Sequence, residues 1–169
     1  MRPIIKKVGE KDIESVQKIA QAAWPATYEG ILERSFIDFE LKREYSRESL
    51  LNAIQNGETF YLFQDFEGSA LGYFSLTRVE VGNSIKVNKF YLWPHLKGKG
   101  LGKDMYLGME KLIQDLDDIE SIHLLVNREN AAINFYEKMG FKKVGEIDTP
   151  THPGQASFVR RDFIMEKKV

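Results

Sequence analysis

The stretch of this sequence best suited to chemistry runs from Lys97 through Gly98, Lys99, Gly100, Leu101 and Gly102 to Lys103. Glycines at alternate positions let a backbone come close to a ligand. The interleaved lysines add positive charge around it. An aromatic run, Phe90-Tyr91-Leu92-Trp93, leads into the loop through Pro94, and an apolar periodicity leaves it from Leu101. Strand, glycine loop and helix start are the parts of an anion site, because a helix N-terminus exposes unpaired N–H groups and a partial positive charge. A phosphate suits it. Two phosphate loops are excluded by spacing. In a Walker A loop the first Gly and the final Ser/Thr would fall on Lys97 and Asp104. A dinucleotide fingerprint needs G-x-G-x-x-G, and here the order is G-x-G-x-G. Taken alone, the loop reads equally as a flexible surface turn before a helix.

A second constellation follows in LLVNRENAAINFYEKMGF, where an apolar strand meets a polar turn and then a helix carrying Asn130, Phe135 and Tyr136. Asn130 is either a helix cap or a ligand contact. Tyr136 is either a core aromatic or a hydroxyl donor. The histidines at 95, 123 and 152 share no metal spacing. His123 reads as a buried strand residue and the other two as exposed loop residues, so none is assigned a catalytic role and no metal is expected.

These residues need elements to hold them. Residues 3–8 read as a strand. Ile13, Val16, Ile19, Ala20, Ala23 and Trp24 recur at helical spacing, with Pro25 expected to end or bend that helix. Residues 28–56 look helical but broken, with Ser46 as a cap and Gly57 as a stop. The period then shortens. Strands are predicted at 59–66, 70–81 and 84–93, joined by turns at Glu67-Gly68 and Gly82-Asn83. Simple alternation puts Ile85, Val87, Lys89, Tyr91 and Trp93 on one face. The first four strands form an antiparallel meander. A helix from Leu101 to about Leu116, a buried strand at 121–126 and a helix from Ala132 to Met139 come next. Gly140 closes that last helix. Two strands, FKKVGEI and FVRRDFIMEK, end the chain around a loop holding Pro150, Pro153 and Gly154.

Composition narrows the class. The 169 residues suffice for a single domain, 1–169. Basic and acidic residues number 24 and 25, so the net charge of −1 argues against a nucleic-acid partner. With no cysteine, disulfides, thiolate metal sites and thiol nucleophiles are excluded. No apolar run is long enough for a membrane span or a secretory signal, which leads to the expectation of a cytoplasmic protein with no membrane partner.

The motifs together resemble the GNAT superfamily of acetyl-CoA-dependent N-acetyltransferases. That family carries Arg/Gln-x-x-Gly-x-Gly/Ala after its fourth strand, matched here by Lys97-x-x-Gly100-x-Gly102. It also carries an Asn-x-x-Ala…Phe/Leu-Tyr-Glu-Lys-x-Gly-Phe block, matched by Asn130 through Phe141. The resemblance implies an α/β (α+β) acetyltransferase fold. Its mostly antiparallel sheet of about seven strands would be splayed between strands 4 and 5 and flanked by about four helices. It implies acetyl-CoA as co-substrate, without a metal. The backbone of Phe90, Tyr91 and Leu92 would pair with the pantetheine arm. The loop Gly98, Lys99, Gly100, Leu101, Gly102 and Lys103 would hold the pyrophosphate, with Lys97 in place of the usual Arg/Gln. Asn130 and Phe135 would touch the cofactor, and Tyr136 would face its sulfur. The finer likeness, in NKFYLWPHLKGKGLGK, NFYEKMGF and the Trp24–Tyr28 region, is to bacterial acetyltransferases of small amines, polyamines included.

Acetyl transfer to an amine needs a neutral amine, an oxyanion donor and a proton or hydrogen bond for the leaving thiolate. The Leu92 N–H is the expected oxyanion donor and Tyr136 the expected acid. Many relatives carry a strand-four glutamate as base. Here those places hold Lys86, Asn88 and Lys89, which leaves Glu80 or a water chain ending on a backbone carbonyl. Acceptor recognition is expected from residues 25–45, the Gly82–Asn83 turn and the 148–157 loop. Glu29, Glu33, Asp38 and Glu40 either attract a cationic amine or form a mixed solvated face with Arg34, Lys42 and Arg43. The expected reaction is direct transfer to a small primary amine such as a polyamine, by a monomer or homodimer. The alternatives are acetylation of a protein N-terminus or lysine, and a non-catalytic acyl-CoA-binding module.

Overall fold

A computed structural model describes residues 3–150 and 159–169. The strands are β1 (Ile4–Lys7), β2 (Thr59–Gln64), β3 (Ala70–Val79), β4 (Ser84–Leu92), β5 (Ser121–Asn127), β6 (Lys142–Pro150) and β7 (Val159–Lys168). The helices are α1 (Ile13–Tyr28), α2 (Arg34–Tyr45), α3 (Arg47–Gln55), α4 (Leu101–Gln114) and α5 (Ala132–Lys138). All seven strands join one sheet in the order β1-β2-β3-β4-β5-β7-β6. Its neighbours are antiparallel, except that β4 and β5 run parallel.

Among the described residues there are five α-helices, where about four were expected. The extra one comes from the broken stretch. Ser46 is extended (ψ 152°), and its Oγ accepts the Ser49 N–H at 3.1 Å, so it caps α3 instead of letting α2 run on. Of the two expectations for Pro25, ending the helix does not hold, because the residue lies inside α1. The carbonyl that loses its partner belongs to Gln21, an exposed residue, so no buried acceptor is stranded.

Each face of the sheet carries its own apolar cluster. On one, Met105, Tyr106, Met109 and Ile113 of α4 and Tyr136 of α5 pack on Phe74, Ile85, Val87, Leu92, Ile122 and Leu124. On the other, the α1 stripe from Ile13 to Trp24, Ile37 and Tyr45 of α2 and Leu50 of α3 cover Phe60, Leu62 and Tyr73.

Strand β4 does not keep one face. Ser75 pairs with Lys89 and Leu76 with Val87, which leaves Asn88 as an extra residue on β4. Such a bulge reverses the alternation and increases the local twist. Ile85 and Val87 therefore face α4 and α5, together with Phe90 and Leu92. Lys89, Tyr91 and Trp93 face the α1 side, with the Lys89 ammonium over the Tyr45 and Phe60 rings. The expectation of one shared face fails because period-2 counting cannot anticipate an inserted residue.

The bulge begins where pairing with β5 ends. Ser84–Val87 pair with Ser121–Leu124, and beyond them β4 and β5 part. Gly72 holds the parted end of β4 against β3. A Cβ there would stand 2.6 Å from both Leu92 Cδ2 and the Tyr91 carbonyl oxygen.

Candidate functional site

The gap between β4 and β5 opens into a cavity of about 620 Å³. Its β4 wall has a definite polarity. The Trp93 N–H donates to the Leu71 carbonyl at 3.0 Å, so Trp93 and Tyr91 turn their backbone groups toward β3. By the alternation of an antiparallel ladder, Phe90 and Leu92 turn theirs toward the gap. The Tyr91 backbone, expected to face a ligand, faces β3, although the residue lines the cavity.

At the mouth, Pro94–Leu96 form a 3-10 turn, and Gly98 and Gly100 both sit at φ +80°. Gly100 is the N-cap of α4, and its carbonyl takes the Lys103 and Asp104 N–H groups at 3.0 and 3.3 Å. The N–H groups of the turn before them, at Leu101 and Gly102, have no preceding helical carbonyl. An anion here meets those N–H groups and the positive end of α4.

Of the residues singled out in the sequence, Phe90, Tyr91, Leu92, Lys97, Gly98, Gly100, Gly102, Lys103, Asn130, Phe135 and Tyr136 line this cavity. Lys99 and Leu101 belong to the same loop but lie outside its lining. Asn130 stands one residue before the N-cap of α5, Ala131; its Oδ1 accepts the Ala132 N–H at 2.9 Å, and the residue lines the cavity. Tyr136 likewise is a core residue, 9% exposed, and a wall of the cavity. Among the described residues no side chain hydrogen-bonds its hydroxyl. Burial pushes its phenol well above the ordinary tyrosine range, with Tyr28 nearby adding to the shift, so it stays protonated at neutral pH.

Glu80 corrects an expectation. It is exposed in the turn after β3, at the end of the hairpin away from the parted strands, and the Gly82–Asn83 turn lies beside it. The strand that carries it runs away from the gap, so neither reaches the cavity. At the strand-four places, the Asn88 amide donates to Thr77 and the Lys89 ammonium contacts Glu58 at 2.8 Å. The carboxylate among the cavity's lining residues is the exposed Glu129.

The 25–45 segment supplies the cavity with Ala26, Thr27, Tyr28 and Ile31. Its acids are elsewhere. Asp38 pairs with Arg34 on an exposed face, as the mixed-face reading expects, whereas Glu40 is buried against Arg43 and departs from it. The Tyr28 and Tyr91 hydroxyls meet at 3.0 Å on the α1 side of the gap. Tyr28 falls within the Trp24–Tyr28 and 25–45 segments named from the sequence, although no role is assigned there to its hydroxyl. Leu124, Leu125 and Val126 also line the cavity, and no pattern of types marks such residues as anything but strand core. His123 is half-buried, and burial and then Lys86 hold its imidazole below the usual range. His95 is exposed, as expected. His152 and most of the 148–157 loop lie outside the described residues.

Lys97 tests the loop electrostatically. Its Nζ is exposed, 3.4 Å from Thr27 Oγ1. The substitution Lys97→Glu is expected to weaken coenzyme A binding on the order of tenfold at low salt, since reversed charge opposes a phosphate. Binding of phosphate-free pantetheine should change little. Titration of both ligands checks this, and equal losses would mean that the lysine shapes the loop rather than attracting the anion.

No helix among the described residues is long and apolar enough to cross a membrane. The profile of the GNAT acetyltransferase domain matches residues 25–149. The spermidine N(1)-acetyltransferase of Thermoplasma acidophilum is 31% identical, over 97% of this chain and 96% of its own length. The solved structure of PaiA N-acetyltransferase from T. acidophilum in complex with coenzyme A superposes with a TM-score of 0.79 at 29% identity and covers all of both chains. A Gcn5-related N-acetyltransferase from Rhodopseudomonas palustris shares the fold at a TM-score of 0.80 and 15% identity, over 100% of this chain and 97% of the other. The chain belongs to the GNAT family and is an acetyl-CoA-dependent N-acetyltransferase.

Proposed function

We propose that this chain, acting as one domain over residues 1–169, moves the acetyl group of acetyl-CoA directly to a primary amine of a polyamine. The observation that carries the reading is the gap itself. It is lined by the glycine loop and α5 together with the end of α1, and it begins where β4 and β5 stop pairing. A long cofactor and a small amine can thus meet between β4 and β5. The likeness to a spermidine acetyltransferase over nearly its whole length supports the choice of amine.

Acetyl-CoA supplies an activated thioester, and the residues present fit it. Leu101 and Gly102 offer helix N-terminal N–H groups to the pyrophosphate, with Gly98, Gly100 and Lys99 shaping the loop and Lys97 and Lys103 adding charge. The cleft-facing backbone of Phe90 and Leu92 gives the pantetheine amides a strand to pair with. Asn130 and Phe135 wall the arm from the α5 side.

During transfer the acceptor nitrogen forms the new C–N bond and the C–S bond breaks. The Leu92 N–H meets the negative charge that develops on the carbonyl oxygen. Tyr136 donates a hydrogen bond to the departing sulfur. Its raised pKa makes it a poor source of a whole proton, so the thiolate is finally protonated by solvent. With Glu80 remote, the proton leaving the amine passes to cleft water held by a backbone carbonyl. No cysteine exists to carry the acetyl group, which leaves direct transfer.

A screen of amines and peptides with acetyl-CoA, read by release of free thiol, tests the function. Spermidine or spermine is expected to be turned over with the highest kcat/KM. Turnover confined to peptide N-termini or lysines would replace this acceptor. Tight coenzyme A binding without turnover on anything would make the chain a binding module.

A further inference from the structure

Asp162 of β7 is 1% exposed, and its two oxygens are treated differently. Oδ2 accepts from Arg160 Nη2 at 3.0 Å, whereas Oδ1 is buried with no hydrogen-bond partner among the described residues. A buried ionised oxygen without a donor costs stability, and native structures seldom leave one without a purpose. Its position suggests which donor it awaits. Asp162 pairs with Asn127 in the β5–β7 ladder, and Ile164 with Leu125, so all four side chains share one face. That is the α1 face, because Phe163 and Met165 pack on the opposite side with α4 and α5. Leu125 lines the cavity. Tyr28, on the same wall, senses the charges of both Arg160 and Asp162. The carboxylate thus stands on the α1 face one strand beyond β5, behind Leu125 and outside the lining of the cavity itself. Two strand spacings alone are about 10 Å, and the parting of β4 from β5 puts it farther than that from β4, where the thioester would lie. That is too far to touch a reacting nitrogen, and within reach of a second nitrogen several methylenes away.

We infer that Asp162 anchors a second, non-reacting ammonium of a di- or polyamine, whose N–H is received by Oδ1. The inference rests on the polyamine reading above and deepens it. Arg160, 38% exposed, is the resident cation that keeps the carboxylate partly compensated between turnovers and turns outward as the ammonium arrives. Selection for a polyamine over a monoamine then lies in β7, away from the reacting atoms.

The test compares spermidine with butylamine, which presents one amine on a similar chain. In the unmodified protein spermidine should have the higher kcat/KM. Asp162→Asn keeps the size of the side chain and an oxygen for Arg160. It should lower the spermidine-to-butylamine ratio of kcat/KM by about 10–100-fold, the worth of one charge-assisted hydrogen bond. Retained coenzyme A affinity would report a folded protein. Arg160→Gln supplies the second arm, and it carries the test if the first variant fails to fold. Removing the competing cation should lower KM for spermidine about threefold or more, while a purely structural ion pair predicts an unchanged or higher KM. An unchanged amine ratio in Asp162→Asn, or no fall in KM in Arg160→Gln, would overturn the assignment while leaving polyamine acetylation standing. An unmodified protein that acetylates other amines but no polyamine would overturn both.

Discussion

Replacing Tyr136 with Phe is expected to lower kcat by about 10²–10³-fold with little change in acetyl-CoA affinity or stability. The magnitude is that of one preorganised donor aimed at charge that develops during the reaction. The side chain is buried, and burial holds the phenol protonated, so at neutral and mildly alkaline pH the hydroxyl always has its hydrogen to offer. The same shift argues against full proton transfer, because the sulfur is the weaker base. Removing the hydroxyl should therefore not alter the shape of the pH–rate profile over that range. Its rise with pH should come from the acceptor amine. Phe retains the ring contacts with Phe90, Phe135 and Phe141, and no hydrogen bond to a described residue is lost. The interaction is made mainly as the C–S bond breaks, so kcat and kcat/KM should fall together. Steady-state kinetics on the best amine, with cofactor affinity measured separately, decides it. A full-rate variant would remove Tyr136 from the mechanism. A loss of cofactor binding in step with rate would make it a binding residue only.

The parts legible in the sequence are those written by periodicity and by glycine. The amphipathic runs of α1 and α4, the Gly82-Asn83 hairpin with both residues at positive φ, and the apolar β5 are each set by local rules, and local rules can be read from local residues. The glycine loop before α4 is legible for the same reason, since glycines at 98 and 100 mark left-handed backbone in a way few other residue types do. The bulge at Asn88 was not. It is decided by register against β3, and the side chain that marks it also suits an ordinary edge or turn. Missing it put Lys89 and Tyr91 on the wrong face. Glu80 failed for a related reason: a candidate base chosen by type carries no information about which end of a hairpin it occupies. Asp162 was invisible because its interest lies in an oxygen left without a donor, a property of packing between β5, β7 and the end of α1 rather than of any spacing along the chain.

Gly100→Val should abolish measurable coenzyme A binding, a loss of at least about 10²-fold, in a protein that still folds. Two effects act together. Gly100 sits at φ +80° and ψ −12°, in the left-handed region, where a β-branched residue is an outlier costing on the order of 1–2 kcal/mol. The chain can relieve that strain only by turning the peptide units on either side. Those units set the direction of the first N–H groups of α4, so if these hold the phosphates, relief and phosphate binding compete for the same dihedrals. The second effect is bulk. A Cβ at this position meets no protein atom within 4 Å, so the valine causes no clash in the unliganded protein. Gly100 also lines the cavity, and its open side is where a close-lying pyrophosphate would be. Gly100→Asn separates the two effects, because asparagine tolerates left-handed backbone but still carries a side chain. If dihedral strain dominates, the Asn variant should keep much more affinity than the Val variant; if bulk dominates, both should lose it alike. Calorimetric titration with coenzyme A, alongside thermal unfolding of the unliganded variants, gives affinity and folding independently. Wild-type affinity in a folded Gly100→Val protein would mean that the phosphates are held elsewhere and that the α4 N-terminus is not the anion site.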